Sequence, residues 1–325
     1  MLFKLGGEIR TVAQMTTALV THSAGLNHVT PPGHPEQVAR LEAINAALAA
    51  PDFADLHRED APAATDAHIR LAHHAPYIAR VKATAPDDGF AALDADTHMS
   101  PGSFEAAIRG VGANIRAVDL VMTGEVQNAF AAMRPPGHHA ETETAMGFCF
   151  FGNVVIGARH AMETYGLNRV AIVDFDVHHG NGTQDLVWDD ERILFVSSHQ
   201  MPLYPGSGHA SETGAHGQIV NIPLVPNTGG KVFREKYENI AFRAVADHKP
   251  ELILISAGFD AHAADPLANL LLVEDDFAWV THGLCDLADT HCGGRVVSTL
   301  EGGYDLDALA SSVDAHVRVL MERGA

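Results

Sequence analysis

Cysteine is scarce in this chain: three in 325 residues, Cys149, Cys285 and Cys292, odd in number and with no C-x-x-C spacing. That argues against a disulfide framework and a cysteine-built zinc finger, and it fits a reducing compartment such as the cytoplasm. Basic residues are few as well, 21 against 41 acidic ones for a formal charge of −20. A fold of this sign does not have phosphate-backbone binding as its main activity, whereas a cationic substrate would be attracted to it. No apolar run approaches the roughly 18 residues of a membrane span, and the first residues lack the charged-then-apolar order of a secretory signal. Internal repeats, low-complexity tracts and linker-like composition are also missing. What is present is 46% hydrophobic residues, enough for a large core. Residues 1–15 read as a leader or an upstream start ahead of Thr17, and residues 16–325 read as one domain.

Along that domain, short apolar runs alternate with helical periodicity. Thr17 to Thr21 reads as a strand, followed by a helix from Glu36 to Ala50 with Val38, Leu41, Ile44 and Leu48 at helical spacing. Pro51 to Pro62 reads as irregular. Helices are expected at His74 to Ala83 and at Ser103 to Met122, the latter with Ser103 as N-cap. The long loop from Pro86 to Gly102 lies between them. Strands follow at Ala129 to Met133, Val170 to Asp176, Ile193 to Ser197, Ile219 to Leu224, Leu252 to Ala257 and Val296 to Leu300, with helices at Val154 to Tyr165, Val232 to Asp247, Asp276 to Thr290 and Leu306 to Met321. Such alternation predicts an α/β fold with a mostly parallel sheet covered on both faces.

Four of these strands run out into polar chemistry. The run from Val170 ends in Asp174, Asp176, His178 and His179 before Gly180-Asn181-Gly182, and Asp176 and His178, two residues apart, can point to one side. The run from Leu252 ends in Gly258-Phe259-Asp260, that from Val296 in Glu301-Gly302-Gly303-Tyr304, and that from Ala129 in Arg134-Pro135-Pro136-Gly137-His138-His139. In parallel sheets the carboxyl edge is where ligands bind. Two carboxylates and an imidazole leave a coordination position open, as a catalytic rather than structural metal requires. Singly, each residue has an ordinary reading: a strand-end aspartate often caps a helix, and a pair such as His73-His74 reads as solvated surface.

The motifs RPPGHHA, MGFCFFGN, DFDVHHGNGTQ, SAGFDAH and LEGGYDL, in this order, resemble the zinc-dependent histone deacetylase family, within the group that also holds acetylpolyamine amidohydrolases. The resemblance runs from about His22 to the C-terminal helix. It implies an arginase-like α/β fold and hydrolysis of acyl-lysine or related amides to amine and carboxylate. It further implies Asp176, His178 and Asp260 as zinc ligands, His139 as general base and acid, His138 as its electrostatic partner and Tyr304 as oxyanion donor. Asp174 matches the partner of the first histidine. Asn181 matches the partner of the second, the class II pattern, as does His34-Pro35-Glu36 followed by Arg40-Leu41. An uncharged partner raises the pKa of His139 less than a carboxylate would, so a neutral base is expected at pH 7. A structural potassium ion is implied at Asp174, Asp176, His178 and Ser197.

By the same resemblance Gly147 and Phe148 form one wall of an acyl-lysine tunnel and Tyr204 the other, Gly302 is a further substrate-binding residue, and Asp96 holds substrate backbone at the rim. Leu267 occupies the gatekeeper position where polyamine-selective relatives carry glutamate. An apolar gatekeeper offers nothing to a distal ammonium, which favours acyl-lysine peptides or proteins over acetylated polyamines. Three other readings remain beside a lysine deacylase: a small-amide or polyamine deacetylase, a binuclear manganese ureohydrolase, and a non-catalytic acyl-lysine binder. The ureohydrolase fits poorly because Gly180 and His262 stand where further aspartates are needed. Ferrous iron suits the same donors as zinc. Oligomeric state stays open, a homo-oligomer included.

Overall fold

The computed structural model describes residues 16–325; the expectation of a leader over residues 1–15 lies outside them. Among the described residues there are ten strands: β1 (Thr17–Thr21), β2 (His57–Asp60), β3 (Ala91–Ala92), β4 (His98–Met99), β5 (Asn128–Ala131), β6 (Val170–Asp174), β7 (Ile193–Gln200), β8 (Ile219–Leu224), β9 (Leu252–Ala257) and β10 (Val296–Leu300). Eight form one sheet in the order β2-β1-β5-β10-β9-β6-β7-β8, every pairing parallel. Strands β3 and β4 pair separately, antiparallel, inside the long loop.

Alternation along the central strands sorts their side chains between two cores. Val170 and Ile172 of β6, Leu252 and Leu254 of β9 and Ala129 and Ala131 of β5 face the helices Ser103–Met122 and Asn153–Tyr165. Ala171 and Val173, Ile253 and Ile255, and Phe130 face Val38–Ala47, Glu274–Cys292 and Leu306–Arg323. Both faces are therefore covered, and the central strands are apolar throughout, as a buried parallel sheet demands.

Several expectations need correction. Ser103 is not the N-cap of its helix: Gly102 holds that position, while Ser103 Oγ accepts from Ser100 N at 2.7 Å and sits 2.7 Å from His28 Nδ1. The segment Pro51 to Pro62 contains β2, an edge strand whose sequence His-Arg-Glu-Asp carries no apolar signal. The helix read from Val232 to Asp247 is a run from Gly230 to His248 that passes through a π-helical turn at Tyr237–Ala241. Strand β6 ends at Asp174, so Asp176 lies on the loop beyond it.

That loop is one of four. Strands β5, β10, β9 and β6 are consecutive neighbours in the middle of the sheet, so the segments following them, with His138 and His139, Tyr304, Asp260, and Asp176 and His178, share one carboxyl edge.

Candidate active site

At the floor of that edge Asp176, His178 and Asp260, all buried, bring one donor atom each within 4.8 Å of one another. His178 Nδ1 lies 3.1 Å from Asp176 Oδ1 and 3.0 Å from Asp260 Oδ2. One ring nitrogen thus faces two buried carboxylates at once, a set of donors that could hold a cation. Metal bonds of 2.0–2.2 Å in tetrahedral geometry place ligand atoms roughly 3.3–3.6 Å apart, a span the two His178 Nδ1 distances approach, so the donors suit a zinc-like ion. Burial pulls the His178 pKa down, but the hydrogen bonds its ring makes to Asp176 and Asp260 prevail and push it up to about 10. Burial and the neighbouring Asp176 charge push Asp260 up to about 7. Among the described residues this is the one such group of three, and a second aspartate in place of Gly180 has no room: a Cβ there would lie 2.4 Å from Asp174 Oδ2.

Glycine makes the convergence sterically feasible. A Cβ on Gly258 would approach Asp176 Oδ2 to 2.0 Å and one on Gly302 would approach Asp260 Oδ2 to 2.1 Å. Gly302 instead donates its N–H to Asp176 Oδ2 at 2.8 Å, and Val177 N donates to Asp260 Oδ1 at 2.8 Å. Gly302 thus sits behind the carboxylates and supports them, and it is not part of the pocket wall.

The tandem histidine rings lie tilted at 46° to each other with centroids 4.0 Å apart, yet their surroundings differ. His138 Nδ1 lies 3.0 Å from Asp174 Oδ2. Burial disfavours its charge, but Asp176 and Asp174 outweigh that and hold its pKa well above the ordinary value. His139 Nδ1 lies 2.7 Å from Asn181 Oδ1. Burial, then the charges of His138 and His178, hold its pKa well below the ordinary value. Two adjacent imidazoles are thus divided into a cation and a neutral base. Their loop is anchored by Glu301, whose Oε2 accepts from Gly137 N at 2.7 Å and His138 N at 3.1 Å. Burial pushes that carboxyl up to about 7.

Above the cluster lies a pocket of about 220 Å³ lined by Asp96, His139, Gly147, Phe148, His178, Leu203, Tyr204, Leu267 and Tyr304. Phe148 faces Tyr304 edge-on at 5.9 Å and Tyr204 faces His139 edge-on at 5.3 Å. Phe148 adopts a left-handed φ of 68°, and Gly147 before it a φ of 54° that brings its Cα against the His139 ring. Asp96 Oδ1 accepts from Gly147 N at 3.1 Å and from Thr97 Oγ1 at 2.8 Å, so it braces that wall as well as lining the pocket. Burial keeps the Tyr304 phenol protonated, far above its ordinary range. Of the expected potassium residues, Ser197 stands in register with Asp174 across β6 and β7, and its Oγ meets His199 Nδ1 at 3.0 Å; Asp174 Oδ1 accepts from Asp176 N at 3.0 Å.

Sequence reasoning missed three supports. Leu203 lines the pocket, without a motif to mark it. Glu301 was passed over inside LEGGYDL, although a glutamate ending a buried strand is itself a signal. Glu36 is fully buried and joined to Arg134 and Arg40; Arg40 Nε donates to Gly303 O at 2.6 Å, and its guanidinium lies 4.9 Å from the centre of the Tyr304 ring. His73 is also a correction: it is buried, and its Nε2 accepts from Gly152 N at 2.8 Å, while only His74 is exposed.

Comparison with known proteins agrees with this geometry. Residues 34–320 match the family model for the histone deacetylase domain. The chain is 37% identical to a probable deacetylase of Archaeoglobus fulgidus over 90% of its own length and 82% of that protein's. It is 40% identical to a histone deacetylase-like amidohydrolase of Pseudomonas aeruginosa over 77% of its length and 67% of that protein's. The crystal structure of the HDA15 HD domain superposes with a TM-score of 0.91, at 32% identity, over 95% of this chain and 89% of that one.

Proposed function

The chain belongs to the histone deacetylase family, and from that premise we propose that it is a zinc-dependent amidohydrolase removing acetyl or related acyl groups from lysine side chains. The observation that carries this reading is the shared position of Asp176, His178 and Asp260 beneath a narrow aromatic-walled pocket whose lining includes His139 and Tyr304. Residues 16–325 act as one catalytic unit in this reading. Zinc held by Asp176, His178 and Asp260 would lower the pKa of a water towards about 7 and polarise the acyl carbonyl; ferrous iron suits the same donors.

The chain's own groups supply the rest. Neutral His139 takes a proton from water and delivers it to the leaving amine, which makes it base and then acid. Cationic His138, clamped by Asp174, offsets negative charge building beside it. Tyr304 donates its hydroxyl hydrogen to the developing oxyanion. Phe148 and Tyr204 strip water from the lysine methylenes, and Asp96 stands at the rim for substrate amides. Asp174 and Ser197, with the backbone at Asp176 and His178, are proposed to hold potassium, which would offset crowded carboxylate charge.

Leu267 on the pocket wall offers no charge to a distal ammonium, so peptide or protein acyl-lysine is the proposed substrate, in preference to acetylated polyamine. The three free, buried cysteines support a reducing compartment, for which the cytoplasm is proposed. No helix among the described residues is long and apolar enough to cross a membrane. Turnover of an acetyl-lysine peptide against acetylated spermidine tests the substrate choice. A strong peptide preference is expected; polyamine preference would show that a loop other than the one bearing Leu267 selects the substrate.

A further inference from the structure

We propose that Glu141 is a positioning residue that sets the tautomer of His139 by dictating which way round the Asn181 amide sits; this rests on the reading of His139 as the base. Asn181 lies nearly buried between two groups, with Oδ1 2.7 Å from His139 Nδ1 and Nδ2 2.8 Å from Glu141 Oε1. The two ends of an amide are alike in shape, so hydrogen-bond chemistry alone decides its orientation. The histidine cannot decide it, because either tautomer can meet either end. Glu141 can: a carboxylate accepts and does not donate. Its presence turns the NH2 group towards itself, with Met146 Sδ at 3.3 Å as a second, weaker acceptor, and leaves the oxygen for His139.

Facing an oxygen, His139 Nδ1 must carry the ring hydrogen. A neutral imidazole has only one, so Nε2 is left with a bare lone pair, the state a base requires. A donor in place of Glu141 would reverse the amide, present N–H to Nδ1 and move the ring hydrogen to Nε2. Glu141 does all this from outside the reactant pocket. It lines a separate cavity of about 190 Å³ with Asn181, Gln184, Asp185, Trp188 and Ser207, so its substitution leaves the substrate walls untouched.

The test uses the full chain loaded with zinc and labelled with 15N-histidine, the His139 resonances being identified by their loss in His139→Ala. Wild type should show Nδ1–H at His139, and Glu141→Lys should show Nε2–H. The same Glu141→Lys should lower kcat about 100-fold, the low end of what a positioned base contributes, with KM and the urea midpoint little changed. Glu141→Gln, which can still offer an oxygen, should recover most of that loss, and Glu141→Ala should fall between the two with mixed tautomers. In an Asn181→Asp background there is no amide to reverse, so adding Glu141→Lys should cost no more than about 3-fold, since the loss of this pairwise coupling is what a double-mutant cycle measures. An Nδ1–H tautomer retained in Glu141→Lys, or an equal loss in the Asn181→Asp background, would overturn the proposal. Full turnover by His139→Ala would instead overturn the base reading beneath it, and that result is read independently of the tautomer.

Discussion

Tyr304 is where single-atom chemistry is most directly exposed. Its ring is held between Arg40 and Phe148, and Asp265 Oδ2 accepts from its backbone N–H at 2.7 Å, so removing the hydroxyl should leave the ring in place. Tyr304→Phe is expected to lower kcat by about 10²–10³, or roughly 2.7–4 kcal/mol, with metal content and melting temperature unchanged. Near-normal turnover would remove Tyr304 from the reaction. His73 makes a different residue-scale prediction, about stability. Burial lowers its pKa from 6.5 to about 4, so between those values the unfolded chain binds the extra proton. Its contribution is complete above pH 6.5 and is lost as the pH falls to about 4, by at most about 3 kcal/mol. His73→Gln, which can still accept from Gly152 N, should show a smaller drop in urea midpoint between pH 7 and pH 5; parallel curves would contradict this. The cluster of Asp176, His178 and Asp260 and the adjacent histidines with their partners were legible in the sequence because motif order carried them. His73 was not, because a histidine shows no sign in sequence of the backbone N–H that will cover it.

At the scale of elements, the site depends on how closely adjacent strand ends can approach. Gly258 and Gly302 are the positions that set this distance, since a methyl group on either would overlap the carboxylates of Asp176 and Asp260. Gly258→Ala should therefore weaken zinc affinity by about 10–100-fold, the range expected when support to metal ligands is lost, as read by competition with a chromophoric chelator. Unchanged affinity would show that the carboxylates can retreat. The strands carrying the site, β5, β6, β9 and β10, were legible as apolar runs breaking into polar loops. Strand β2 was not, because its four polar residues lie at the sheet edge, three of them exposed, and gain their strand geometry only from pairing with β1. The short helix Asn181–Val187 was also missed, since Gly180-Asn181-Gly182, which forms its cap and first residues, reads as a turn.

For the molecule as a whole, the N-terminal third and the C-terminal site are tied through buried charge. Glu36 meets Arg134 at the end of β5 and Arg40, which in turn holds the carbonyls of Glu301 and Gly303. Glu36→Ala would strand two buried guanidinium groups and is expected to cost about 3–5 kcal/mol in chemical denaturation. A loss under about 1 kcal/mol would mean the cluster relaxes into water. Such a network is hidden in sequence because charge there reads as surface, and only the fold shows that residues 36, 40, 134 and 301–303 meet. Metal-dependent hydrolysis at one centre is the activity proposed for the whole molecule. The most direct measurement is metal content alongside turnover of an acetyl-lysine peptide, before and after chelation and zinc return. One ion per chain, with turnover abolished by the chelator and restored by zinc, is the predicted result; two ions per chain, turnover unaffected by metal removal, or tight peptide binding without hydrolysis would contradict it.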